Sequence, residues 1–314
     1  MAAKDKGKKV VAMIGYGSQG QAIALNLRDS GFEVIIGLRS RSGSIRQARK
    51  DGFQPESVLC AVKGADIICM AFPDHLHGRV YTSVIEKNLK KNATLWFLQG
   101  MSIHFGLVKP PSDCDVILIA PHGPGVAVRE KYLTDRSLSA FYAVAQGRSR
   151  KTLSALFALA GGIGLEKKQL VKTSFEAETL GDMFGEQAVL CGGLAMLVKS
   201  GFEVLVENGL KPEHAYLEVA YQLDLIVDLI KKHGIEGMLR RISVAARYGS
   251  VRGGPKIIDS SVKKRMMKLF REIGSGRFAK KLNTLERSDI DALDRVVKKL
   301  SHPALEKAAR KFAG

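Results

Sequence analysis

The chain has no unbroken run of eighteen or more apolar residues, so the sequence predicts no transmembrane helix and no membrane partner. Its four cysteines, Cys60, Cys69, Cys114 and Cys191, are widely spaced and form no CxxC pair. That argues against a zinc site or a disulfide scaffold and fits a reducing cytoplasm. No internal repeat or low-complexity linker stands out. The N-terminus, Met1 to Lys9, is basic, but the following Val10–Gly15 is too short for a signal-peptide core and leads into a glycine motif. Acidic residues are scarce relative to basic ones, 31 against 49, for a net charge of +18. What is present is enough for ordinary folding. A length of 314 residues suggests two domains, and 46% hydrophobic residues excludes disorder as the default reading.

The charge is uneven. Residues 1–173 hold 25 basic and 13 acidic side chains, and residues 174–314 hold 24 and 18. Within the second part, residues 231–281 carry 15 basic and 3 acidic side chains, behind an acidic front that runs from Asp182 to Asp228. Such a run is compatible with a solvated surface or an anionic partner. It contains few aromatics (Tyr248, Phe270 and Phe278), which speaks against base stacking and nucleic acid.

Apolar runs at 9–14, 33–38, 66–72, 93–98, 115–120 and 139–145 read as strands, with helical patterns at 19–28, 44–50 and 151–160 between them. This alternation predicts an α/β domain with a parallel sheet and right-handed crossovers over residues 1–173. From Glu176 onward no strand is expected. Residues 185–206, 214–232 and 261–272 read as helices, giving an all-α domain over residues 174–314.

Three groups of residues carry chemistry. Gly15-Tyr16-Gly17-Ser18-Gln19-Gly20 follows a strand and opens a helix, the context of a dinucleotide fingerprint. Its glycines serve the tight turn, backbone approach to a pyrophosphate, and helix–strand packing, while the helix N-terminus attracts phosphate. The end of the second strand lacks the Asp or Glu usual at an NAD site. Arg39, Arg41, Ser42 and Ser44 stand there instead and suit a 2′-phosphate, so NADPH is the expected cofactor. Finally, Asp182 and Glu186 are four apart, as are Glu218 and Gln222, so each pair shares a helix face. Carboxylates on such faces can hold Mg²⁺ with several waters. A lone i,i+4 acid pair is common on solvated helices, but the segment Asp182–Gly193 is too apolar and glycine-rich for an ordinary solvent face.

The ordered segments GYGSQG, ALNLRDSG, GLR, APHGPG (Ala120–Gly125), DMFGEQAVLCGG (Asp182–Gly193), GFEVLVENG, LIVDLI and RYG make the chain similar to ketol-acid reductoisomerases, in their shorter, single-knotted class, from about residue 8 to residue 280. The resemblance implies a Rossmann domain and a knotted helical domain through which two subunits intertwine as a homodimer. It implies NADPH, one or two magnesium ions, and a small-molecule substrate of branched-chain amino-acid synthesis, a 2-acetohydroxy acid that undergoes alkyl migration and then ketone reduction. Asp182, Glu186 and Glu218 match the family's metal-binding acids, the last donated by the partner helical domain. Ser243 matches its substrate-binding serine. Gly15, Gly17, Gly20, Arg39, Ser42 and Ser44 match its NADPH loop, and Pro124 and Gly125 match the turn beside the nicotinamide.

Several site positions depart from the family pattern. The active-site His is Gln99, which exchanges no proton near neutral pH. A Lys is His122, and the His after the turn is Val126. The second partner-helix acid is Gln222, and a Glu after Ser243 is Arg247. An E-T-E-T segment reads Glu178-Thr179-Leu180-Gly181. Loss of charge at Gln222 and His122 should retune a dimetal site, on which migration depends more than reduction does. The expectation is a reductase in which reduction is more secure than migration, with His122 as replacement proton donor and His75 and His77 as loop residues. Two alternatives stay open: a paralogue reducing another anionic carbonyl compound, favoured by Arg241 and Arg247, and a non-catalytic dimeric binding protein.

Overall fold

The computed structural model describes residues 9–147 and 150–313. The basic stretch at residues 1–8 lies outside them. The chain divides into two compact units, Met1–Gly181 with Gly276–Thr284, and Asp182–Ser275 with Leu285–Gly314.

In the first unit the elements follow in the order β1 (Val11–Ile14), α1 (Ser18–Asp29), β2 (Val34–Leu38), α2 (Ile45–Lys50), β3 (Glu56–Ser57), α3 (Val58–Gly64), β4 (Ile67–Met70), α4 (His77–Val80), β5 (Thr94–Phe97), α5 (Met101–His104), β6 (Asp115–Pro121), α6 (Gly125–Leu133), β7 (Ala140–Gln146), α7 (Arg150–Gly162) and β8 (Leu170–Lys172). The eight strands form one sheet in the order β3-β2-β1-β4-β5-β6-β7-β8. Val11 pairs with Val34 on one side and Ile67 on the other, both parallel. The chain therefore leaves β1 outward to β2 and β3, then returns to β4 across β1. That reversal opens a crevice above the carboxyl ends of β1 and β4, where ligands of such sheets bind.

β1 is buried on both faces, which is why its sequence is a continuous apolar run and not an alternation. Met13, Ile23, Leu27, Trp96, Leu156 and Leu159 fill one face of the sheet. Ile14, Val62, Met70, Tyr81, Phe97 and Leu118 fill the other. Two features correct the sequence reading. The sixth long strand, β7, runs antiparallel to β6, with Pro121 opposite Ala140, so the chain re-enters the sheet at the edge it has just left. The short strands β3 and β8 were not expected; two or three residues are too few to show a period.

The helices continue as α8 (Phe175–Gly185), α9 (Gly192–Glu207), α10 (Pro212–Tyr216), α11 (Leu223–Arg241), α12 (Val244–Ile257), α13 (Ser260–Gly274), α14 (Arg277–Asn283), α15 (Arg287–Leu300) and α16 (Pro303–Phe312). Among the described residues no strand follows β8. Wide π-type turns at Glu186–Leu190 and Leu217–Tyr221 join α8 to α9 and α10 to α11. Gly234, at φ 70° and ψ 177°, breaks α11 internally.

Within the second unit, α10 packs against α9 and α16. Phe202 is fully buried beside the His302 ring, Tyr216 stacks on Phe312, and Lys311 pairs with Glu213 at 3.5 Å. Few other side chains of this unit are buried. Leu190, Leu197, Leu225, Ile235 and Val244 are half or more exposed. The stretch Phe175–Glu207 is long and apolar enough, by length and composition, to cross a membrane. Asp182, Glu186, Lys199 and Glu203 interrupt it, so it holds no unbroken apolar run of that length.

Candidate active site

The fingerprint turn is shaped by close backbone contact. Gly15 has φ +100°, and a Cβ there would land on the carbonyl oxygen of Ala71 at the end of β4. At Gly20 a Cβ would lie 2.8 Å from the Gly15 carbonyl oxygen. Gly17 differs, since a Cβ there would meet nothing within 4 Å; its value is an open face beside the start of α1. That helix has no side-chain cap and no acid in its first turn, so its exposed amide groups are left for an anion. Ser18 and Gln19 begin the helix. A Cβ on Gly125 would strike the backbone of Ser18, so the turn after β6 presses directly on the fingerprint. The Gln19 amide donates to the Gly123 carbonyl at 2.7 Å and ties the two turns together. Pro124 is exposed on that turn. The cradle fits a dinucleotide: its walls are fixed by glycines, and no side chain caps the start of α1.

Tyr16 does not face this opening. Its ring is buried edge-on to Phe53, and its hydroxyl donates to Asp51 at 2.9 Å. Gln21 and Gln47 also donate to the Asp51 carboxylate, at 2.8 and 2.9 Å. Burial raises the Asp51 pKa, but these hydrogen bonds and nearby Arg28 outweigh it and hold the carboxyl below its usual value. The Tyr16 hydroxyl is pushed well above the usual phenol range, by burial first and then by Asp51. This cluster fixes α2, and with it the loop of residues 39–44. Arg39 is exposed there. Ser42 and Ser44 are half-buried on a turn closed by the Ser42 amide on the Arg39 carbonyl, 3.0 Å.

The loop after β5 carries Gln99, whose Oε1 accepts the Met101 amide at 2.8 Å. Gly100 has no room for a Cβ, which would fall 2.6 Å from the Phe175 carbonyl oxygen and the Thr179 hydroxyl. Its amide donates to the buried Glu178 carboxylate at 2.6 Å. His77 is also buried, not a loop residue, and both its ring nitrogens are engaged. His122 stands at the carboxyl end of β6. Its Nδ1 lies 3.1 Å from the Ser139 hydroxyl, its ring is edge-on to Phe141, and it is exposed. Sequence reasoning missed Glu178 and Ser139. Glu178 had a signal, the four-residue ladder Glu178–Asp182–Glu186 in an apolar segment; Ser139 had none.

In the second unit Asp182 and Glu186 are exposed one turn apart, and Glu186 opens a wide turn. Glu218 and Gln222 are exposed around the other wide turn, and the Gln222 amide donates to the Leu217 carbonyl at 3.3 Å. Wide turns of this kind recur at functional sites. Among the described residues no group of three or more His, Cys, Asp or Glu side chains is disposed to hold a metal ion. The chemistry of the Asp182–Glu186 pair, two hard oxygen donors, fits magnesium with water completing its shell. Ser243 caps α12, its hydroxyl accepting the Ala246 amide at 3.1 Å. Arg241 turns back onto the Gly237 carbonyl, and Arg247 is exposed.

Two family models cover nearly the whole chain. The NADPH-binding domain of acetohydroxy acid isomeroreductase matches residues 6–169, and the C-terminal domain of ketol-acid reductoisomerase matches residues 175–313. A ketol-acid reductoisomerase (NADP(+)) of Xylella fastidiosa (strain 9a5c) is 46% identical over 270 residues, covering 86% of this chain and 77% of that protein. One of Xanthomonas campestris pv. campestris (strain B100) is 47% identical over 270 residues, covering 86% and 81%. Among solved structures, an NADH-preferring ketol-acid reductoisomerase from an uncultured archean aligns with a TM-score of 0.92 at 35% identity, covering 98% of this chain and 95% of that one. A semialdehyde dehydrogenase NAD-binding protein from Cupriavidus necator, 20% identical at TM-score 0.66, shares the fold alone. With both its halves matched in this way, the chain belongs to the ketol-acid reductoisomerase family.

Proposed function

We propose that the protein is an NADPH- and Mg²⁺-dependent ketol-acid reductoisomerase-type oxidoreductase, acting on a 2-acetohydroxy acid or related 2-keto acid, in which ketone reduction is more secure than alkyl migration. The observation that carries it is the glycine cradle between β1 and β4, faced by a loop with Arg39 and no carboxylate. When bound, NADPH supplies hydride and magnesium supplies a Lewis acid for the substrate oxygens. The N-terminal domain, residues 1–173, binds the dinucleotide. Gly15, Gly17, Ser18 and Gly20 offer backbone to the diphosphate, and Arg39, Ser42 and Ser44 hold the 2′-phosphate. Pro124 and Gly125 back the nicotinamide. In the helical domain, residues 174–314, Asp182, Glu186 and Glu218 hold the metal and Ser243 orients the substrate.

The acid–base work falls to His122. Ser139 engages Nδ1, which leaves Nε2 to exchange a proton. Gln99 can only hydrogen-bond, and its oxygen is already committed to Met101. With Gln222 uncharged, the metal site carries one carboxylate fewer, which weakens the step that needs two metal ions most. The exposed apolar faces of α9, α11 and α12 are buried in a homodimer, which accounts for a helical unit with so little core of its own. Four free thiols fit a cytoplasmic location.

The test is turnover by the purified protein with Mg²⁺ and NADPH. Reduction of 3-hydroxy-3-methyl-2-oxobutanoate without conversion of 2-acetolactate supports the reading in full. Conversion of both at comparable rates overturns the claim that migration is impaired. Failure to bind NADPH overturns the enzyme reading.

A further inference from the structure

We propose that His77 is a positioning residue of the reductive site: its ring, with a proton on Nε2, locks the loop after β4 to the loop after β5. This rests on the function proposed above.

His77 is 1% exposed, so its ring is not presented to a bound substrate. Its Nε2 lies 2.9 Å from the Phe72 carbonyl oxygen, and its Nδ1 lies 2.9 Å from the Ser102 hydroxyl. A carbonyl can only accept, so Nε2 must carry the proton. In the neutral ring Nδ1 is the acceptor, and Ser102 donates to it. Burial pulls the ring's pKa down more than Asp74, 3.6 Å away, and the Phe72 carbonyl pull it up, which favours the neutral ring. Phe72 and Phe97 hold the ring plane edge-on at 4.6 and 6.1 Å.

The two partners belong to the two loops that matter. Phe72 follows Ala71, whose carbonyl occupies the space a side chain at Gly15 would take, and whose Cβ lies against Gly20. A shift of Phe72 therefore moves the packing surface under the diphosphate turn. Ser102 follows Gln99, Gly100 and Met101, in a turn also held by Glu178 on the Gly100 amide, by Gln99 on the Met101 amide and by the Val108 amide on the Ser102 carbonyl. A leucine would fill the same space with no polar group to satisfy. The imidazole adds one property leucine lacks, a two-ended polar link between strand ends that share a cofactor.

Three variants separate the links. His77→Gln keeps a donor for the Phe72 carbonyl and loses the Ser102 contact. Ser102→Ala loses the same contact without touching the ring. His77→Leu loses both ends. The NADPH dissociation constant is read from quenching of the single tryptophan, Trp96 on β5. The kcat and KM for ketone reduction are read separately, with circular dichroism as the check on folding. Expected for Gln and Ala are an NADPH affinity within twofold of wild type, unchanged KM and a kcat lower by about tenfold, one hydrogen bond's worth by the constant 1.4 kcal/mol per decade. Expected for Leu is, in addition, NADPH binding weakened by about tenfold. Folded variants whose dissociation constant and kcat all stay within twofold of wild type overturn the proposal, since a purely structural histidine would lower only the melting temperature. If wild type reduces neither compound, the function proposed above fails, and the NADPH affinity of the Leu variant decides this inference alone.

Discussion

At the scale of single residues, the cofactor cleft is built from backbone atoms packed so closely that a methyl group is too much. Gly125→Ala should weaken NADPH binding by tenfold or more while leaving the helical unit intact, because the new Cβ must displace the start of α1; tryptophan quenching measures the first and circular dichroism the second. The fingerprint was legible because its glycines are adjacent in sequence. Gly125 was readable only by resemblance, since nothing in its own spacing says that it meets Ser18. Asp51 gives a pH prediction. Its folded pKa lies below the unfolded value, so the stability it contributes is present above the unfolded pKa of about 4 and is lost as pH falls through the lower, folded one. The difference in unfolding free energy between wild type and Asp51→Asn should therefore be greatest above about pH 4 and shrink below it. A difference that grows on acidification would count against the hydrogen-bond network around Tyr16.

At the scale of elements, the buried strands and their mainly parallel direction were legible, and the one reversal was not. β1, β4 and β5 are short apolar runs buried throughout, β2 and β6 nearly so, and composition alone marks such runs. The reversal at β7 depends on where the chain re-enters the sheet, which the composition of the strand does not record. The wide turns at 186–190 and 217–221 escaped for a similar reason, since one extra residue in a turn leaves the apolar count unchanged. Their consequence is testable. Deleting Ala188 removes the one residue by which the turn exceeds a regular α-helical turn and should shift the Glu186 carboxylate relative to Asp182; Mg²⁺ binding, followed by calorimetry, should weaken while helix content is kept. Gly234 is a second such point. Its φ and ψ suit glycine alone, so Gly234→Ala should cost about 1–3 kcal/mol in denaturant unfolding. No loss would mean that α11 straightens without penalty.

At the scale of the whole molecule, the first unit carries two apolar layers on its sheet, and the helical unit carries almost none. Sedimentation should give a species of about twice the 34.2 kDa chain. Leu197→Glu with Leu225→Glu, both at exposed apolar positions, should convert it to monomer. The charge excess that first suggested an anionic macromolecule then has a modest place, with Arg39 exposed on the loop proposed to hold the 2′-phosphate and the residues of 231–281 distributed over exposed helical faces. The sparse interior of the helical unit reaches further than assembly state. If its core forms only when two chains meet, folding of that unit is a bimolecular event, and mass action enters its stability. The midpoint of its thermal transition should rise with protein concentration while that of the sheet unit stays fixed, so dilution alone would uncouple a chain that can still hold its nucleotide from one that can still complete the reaction.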